Sequence, residues 1–173
     1  MKLFSHGLIA VAAMATVLLT GPLNSVADTL VAPAGRPILV VAGAIENTNA
    51  GGTAEFDRAQ LEALAPQVLE TRTPWTEGVQ RFDGFPIAAL FDLVGAKGDT
   101  VRATAINDYA VTMPIADLVE SGAFVAIRQN GALMKIRERG PLWIIFPYDS
   151  DPRLTGDDFL NWSIWQLKSI EIE

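Results

Sequence analysis

The chain has 173 residues, half of them hydrophobic and 19% charged, with 13 Lys and Arg against 20 Asp and Glu, a length that suits one domain. It contains no Cys, and its one His is His6, so a thiolate nucleophile, a zinc site of Cys or His, a Ser-His-Asp triad and a disulfide framework are excluded once the first residues are removed. The net charge of −7 argues against nucleic acid as a partner, because phosphate backbones are held by Lys and Arg.

Met1 to Ala27 reads as a secretory signal. Lys2 supplies the positive start, Leu8 to Leu19 is apolar or small apart from Thr16, and Ser25-Val26-Ala27 has the small-x-small form before Asp28. The apolar run is short for a membrane span. No Cys follows it and no Arg pair precedes it, which points to export of an unfolded, unlipidated chain. The expected address is a bacterial periplasm or the exterior, after cleavage following Ala27. Residues 28–173 then form the single mature domain, with 12 bases against 20 acids and a balance of −8.

Ile38 to Val41 reads as a strand. Asp57 caps a short helix through Leu64 that ends near Pro66, and Val68 to Thr73 reads as the next strand. Pro86 opens a second helix, Ile87 to Val94, stopped by Gly95. Val101, Ala103 and Ala105 alternate with polar residues, and Tyr109, Val111 and Met113 continue the pattern, so two strands with a tight link are expected. Asn130-Gly131 between Phe124 to Arg128 and Ala132 to Ile136 is a two-residue hairpin signal. Leu142 to Phe146 reads as a buried strand and Ile164 to Ile172 as the last one. Strands outnumber helices without regular alternation, so the expected class is α+β, mostly β mixed sheets with short inserted helices.

Four clusters combine aromatic and polar residues. Thr73-Pro74-Trp75-Thr76-Glu77-Gly78 is a bounded loop whose Trp serves either as a lid over the core or as a platform for a ligand. Asn107-Asp108-Tyr109 is ordinary turn chemistry, or a carboxylate offered to paired N–H donors. Arg137-Glu138-Arg139-Gly140-Pro141-Leu142-Trp143, leading to Pro147-Tyr148-Asp149, is a solvated salt-bridging loop or a pocket for an anion or a heteroaromatic ring. Asn161 to Gln166 holds Trp162 and Trp165, which face opposite ways in a strand, so that one of them can line a pocket. No pair of acids stands out by spacing, and a glycosidase reading has nothing specific to rest on.

Taken in order, Phe82-Asp83-Gly84-Phe85-Pro86-Ile87, Asn107-Asp108-Tyr109 with Pro114, Asn130-Gly131-Ala132-Leu133 followed by Arg139-Gly140-Pro141-Leu142-Trp143 and Pro147, and Trp165-Gln166-Leu167-Lys168-Ser169-Ile170-Glu171 resemble the landmarks of the molybdopterin-binding domain of the sulfite oxidase family. The resemblance covers residues 36 to 172 and implies a mixed α+β fold, mostly β, with a pterin-shaped cleft at its loops. Catalytic members ligate molybdenum through a Cys, which this chain lacks. The enzymes' His-Gly-x-Pro-x-Arg appears here as Arg139-Gly140-Pro141-Leu142-Trp143, and their Lys-Trp-Leu as Trp165-Gln166-Leu167.

The chain is more similar to a smaller branch of short, exported, Cys-free pterin-binding regulators, some paired with a membrane-bound enzyme of cyclic-di-GMP turnover. That likeness implies a pterin sensor or carrier without catalytic metal, whose partners are the small-molecule pterin and the periplasmic domain of an inner-membrane signalling protein. It brings Trp75, Asp108, Tyr109, Arg139, Trp143 and Tyr148, from three loops, to one cleft. Two alternatives stay open: an oxidoreductase, or a subunit of one, that binds molybdopterin through oxygen ligands alone, and an interaction domain that kept the fold and lost the pocket.

Overall fold

The computed structural model describes residues 30–173; the leader expected over residues 1–27 lies outside them. Two five-stranded sheets, carrying a few short helices between strands, make a mixed α+β architecture that is mostly β. The first sheet contains β1 (Leu39–Gly43), β2 (Ala54–Phe56), β5 (Thr100–Ala105), β6 (Ala110–Pro114) and β10 (Leu167–Ile172), in the order β2-β1-β10-β5-β6. Only β1 and β10 are parallel, with Val40 beside Ser169 and Gly43 beside Ile172. The second sheet runs β3 (Gln67–Thr71), β4 (Gln80–Pro86) and β7 (Phe124–Gln129). Two short strands share the far edge of β7: β8 (Ala132–Leu133) opposite Arg128 and Gln129, and β9 (Trp143–Ile145) opposite Phe124 to Ala126.

Periodicity accounts for the burial. Leu39 and Val41 of β1, and Val101, Ala103 and Ala105 of β5, alternate inward, as half-covered strands do. Phe124 to Ile127 and all of β9 are buried on both faces, which makes this strand pair the centre of the molecule. Each large side chain withdrawn here, such as Phe82, Phe85 or Ile144, contributes roughly 1.5–3 kcal/mol of apolar burial.

The helices are short and locally specified. In α1 (Arg58–Ala63), the Asp57 carboxylate accepts from Gln60 N at 2.9 Å while the Gln60 side chain accepts from Asp57 N at 3.0 Å, a reciprocal cap. Helix α2 (Ile87–Val94) starts after Pro86 and ends on Gly95 at φ 62°. Helix α3 (Ile115–Glu120) starts in the same way after Pro114, and α4 (Asp157–Trp162) follows a single 3-10 turn at Pro152–Thr155. Among the described residues no helix is long and apolar enough to cross a membrane.

Several expectations need correction. The last strand begins at Leu167, not Ile164, because Gln166 sits at φ 54°, which an extended strand cannot hold. The strand expected over Ala132 to Ile136 stops at Leu133, and a 3-10 turn follows at Ile136–Glu138. Trp162 lies in α4 rather than in a strand. Strands β2 and β4 and helices α3 and α4 add to the elements expected from the sequence.

The two sheets are joined beside the candidate site. The segment leading into β10, with its first residue, runs along β9 and the segment before it: Gln166 N donates to Arg139 O at 3.0 Å, Ile144 N to Ile164 O at 2.9 Å and Leu167 N to Leu142 O at 3.1 Å. Trp143 and Trp165 form an isolated antiparallel bridge in this seam.

Candidate functional site

The loop after β3 delivers Trp75. Thr73 Oγ1 bonds Thr76 Oγ1 at 2.8 Å and accepts from Trp75 N at 3.2 Å, a local turn that fixes the indole. Three aromatic rings meet that indole edge-on: Trp143 at 5.7 Å between centroids, Tyr148 at 6.2 Å and Trp165 at 5.9 Å. Arg139 anchors the loop from below, donating from Nη2 to Trp75 O at 2.8 Å while its guanidinium lies 5.1 Å from the Trp143 ring centroid.

Beneath Trp75 lies a buried polar relay. Trp143 is fully buried and its Nε1 donates to Ser163 O at 3.1 Å. Ser163 Oγ donates to Phe159 O at 2.6 Å. A hydroxyl has one proton, so in the 2.5 Å contact between Tyr148 OH and Ser163 Oγ the phenol is the donor. Burial pushes the Tyr148 phenol up to about 12.

Above this layer opens a cleft of about 490 Å³, within the usual range for small-molecule sites. Trp75, Tyr109 and Trp165 give it aromatic walls; Ala105, Leu160 and Ile164 give apolar lining; Asn107, Asn161 and Ser163 bring polar groups. A second hollow of about 380 Å³ shares Trp75 and Trp165 and is completed by Arg137, Glu138, Arg139 and Gln166. A larger, open hollow of about 690 Å³ lies on the second sheet, but its charges neutralise one another: Arg81 pairs with Asp83 at 2.8 Å and Arg128 with Glu62 at 2.9 Å.

The six residues expected at the site divide into three groups. Trp75, Tyr109 and Arg139 line the two hollows. Trp143 and Tyr148 lie under them, packed against the ring of Trp75. Asp108 lines neither hollow. At φ 65° it turns outward and meets Lys168 Nζ at 2.5 Å, and that ammonium holds its carboxyl below the usual carboxylate range. Its neighbours Asn107 and Tyr109 face the cleft instead.

The residues expected at the site did not include Asn107, Asn161 and Ser163, and the sequence left open which of Trp162 and Trp165 lines a pocket. The signal for Trp165 was its spacing from Trp162. Because α4 ends at Trp162, that indole packs on Phe159 at 5.1 Å between centroids while Trp165 enters the cleft.

Fold and site together define a two-sheet α+β protein with an aromatic cleft at the seam between its sheets. Among the described residues no group of three or more His, Asp or Glu is placed to hold a metal ion. No model of a known protein family matches the chain, and no curated protein matches it.

Proposed function

We propose that this protein is an exported pterin-binding sensor or carrier, built on a fold like the molybdopterin domain of the sulfite oxidase family. The observation that carries the reading is the cleft walled by Trp75, Tyr109 and Trp165, with the amides of Asn107 and Asn161 among its lining. A pterin is a flat heteroaromatic ring whose edge mixes amine and ring N–H donors with carbonyl and ring nitrogen acceptors. Indole and phenol rings supply stacking surface, worth on the order of 1–3 kcal/mol per ring for nucleobases, the nearest measured analogue. A carboxamide offers both a donor and an acceptor to such an edge. The three edge-on contacts to Trp75 hold that wall in place before a ligand arrives, which lowers the ordering cost of binding.

The chain has no Cys, and the enzymes of the resembled family use a Cys thiolate to hold molybdenum, so a binding role fits this donor set better than catalysis. As a sensor it would report pterin occupancy to the periplasmic domain of a membrane-bound signalling protein. Native mass spectrometry of protein purified from the periplasm of a pterin-producing bacterium tests the reading. The expected result is a chain starting at Asp28 with one pterin bound and no stoichiometric molybdenum. Ligand-free protein that also fails to bind added pterins contradicts the pterin reading, and about one molybdenum per chain together with oxidoreductase turnover contradicts the sensor reading.

A further inference from the structure

We propose that the second hollow binds the carboxylate of a side chain, so that the protein's ligand is a flat ring bearing one negatively charged tail. For the identity of the ring this rests on the pterin reading; for the tail it rests on charge and geometry alone. Trp75 and Trp165 line both hollows and touch edge-on, so the hollows adjoin at these two rings and a substituent on a ring held in the first need only pass them to reach the second.

The charges of the second hollow define that substituent. Of the 12 bases in residues 30–173, Arg137 and Arg139 line this hollow, while Lys135 and Lys168, close to lining residues in sequence, are not among its lining. Glu138 serves both Arg137 at 3.5 Å and Lys135 at 4.0 Å, and Asp108 serves Lys168 at 2.5 Å. Among the described residues Arg139 alone of the four has no carboxylate partner. Its guanidinium is half-buried, held against Trp143 and tied to Trp75 O through Nη2, so the fork is fixed and keeps donors to spare. Among the residues that line the hollow, Glu138 pairs with Arg137 and Arg139 is left over, so the lining carries one unbalanced positive charge. A carboxylate matches that charge. A phosphate monoester, with about −1.5 to −2 charges at neutral pH, would bring surplus negative charge beside Glu138.

Titration calorimetry with pteroate, its neutral carboxamide analogue and neopterin monophosphate reads the preference directly. Pteroate should bind about tenfold or more tighter than the carboxamide, the gain expected of a charge-assisted bond, and tighter than the phosphate ester. Arg139→Gln should collapse the ratio of pteroate to carboxamide towards one, and Arg139→Lys, which keeps the charge but loses the fork, should retain part of it. Glu138→Gln should shift preference towards the phosphate ester. Equal affinity for pteroate and carboxamide, or a ratio unchanged in Arg139→Gln, overturns the proposal. Should no pterin bind, benzoate and benzamide are compared through the indole NMR signals of Trp75 and Trp165. An Arg139-dependent preference for benzoate then upholds the carboxylate site while the pterin reading fails, and no preference overturns both.

Discussion

Trp75 is the residue on which the cleft turns, because it is both wall and keystone. Its indole touches Trp143, Tyr148 and Trp165, and each such edge-on pair is worth about 0.5–1.5 kcal/mol beyond area burial. Trp75→Ala is expected to lower pterin affinity by roughly 1–3 kcal/mol and to lower the melting temperature as well; calorimetric titration of the folded variant separates the two effects. Asp108 carries the opposite expectation. The sequence offered its carboxylate to a ligand, yet the chain spends it on Lys168 and turns it to solvent. Asp108→Asn should change pterin affinity by less than about fivefold, the scale of an exposed ion pair. Tyr148 has a pH signature. Its neutral phenol is favoured in the fold, with ionisation pushed up to about 12. Its contribution to stability is therefore fully present below the ordinary tyrosine value of about 10 and is lost as pH rises from there through about 12. The stability difference between wild type and Tyr148→Phe, measured by denaturant unfolding, should shrink over that window; a constant difference contradicts the buried, neutral phenol.

At the scale of elements, what was legible is what local chemistry decides. The Asp57 cap, the Pro86 start and Gly95 stop of α2, and the Asn130-Gly131 hairpin at φ 51° and 79° were readable because each rests on neighbours in sequence. Helix α3 repeats the Pro-Ile start of α2 at Pro114-Ile115, a signal present in the sequence that the expected elements did not include. Strand β4 contains Gly84 and ends at Pro86, residue types that weaken a strand signal. Gly84 instead marks a close approach at a register shift, where a Cβ would overlap the Val125 carbonyl. Gly84→Ala should cost about 1–3 kcal/mol of unfolding free energy, measurable by urea titration. The Asp57 carboxylate also accepts from Gly35 N at 2.7 Å, and these backbone bonds, Gln60 first, lower its pKa. The stability it contributes is present above the ordinary Asp value of about 4 and is lost as pH falls below it through the depressed value. Asp57→Ala should lower the melting temperature by about 2–4 °C at neutral pH, and the gap should close on acidification.

Across the whole molecule, the cleft exists because the two sheets meet along a seam that no local pattern announces. The Arg139–Gln166 and Ile144–Ile164 backbone bonds join segments more than 15 residues apart, and this pairing places Trp165 opposite Trp75. The aromatic clusters could be seen in the sequence. Which ring faces solvent, which lies in the core and which carboxylate points away were decided by tertiary packing. Trp162 and Trp165 turn that distinction into an internal control, since only the second lines the cleft. The most direct measurement is calorimetric titration of pterin into wild type, Trp165→Ala and Trp162→Ala. Saturable binding at one pterin per chain is expected, weakened about fivefold to a hundredfold by Trp165→Ala and by less than about threefold by Trp162→Ala, which leaves the stacking walls intact. No saturable binding to wild type, or equal losses in the two variants, contradicts a pterin site in this cleft.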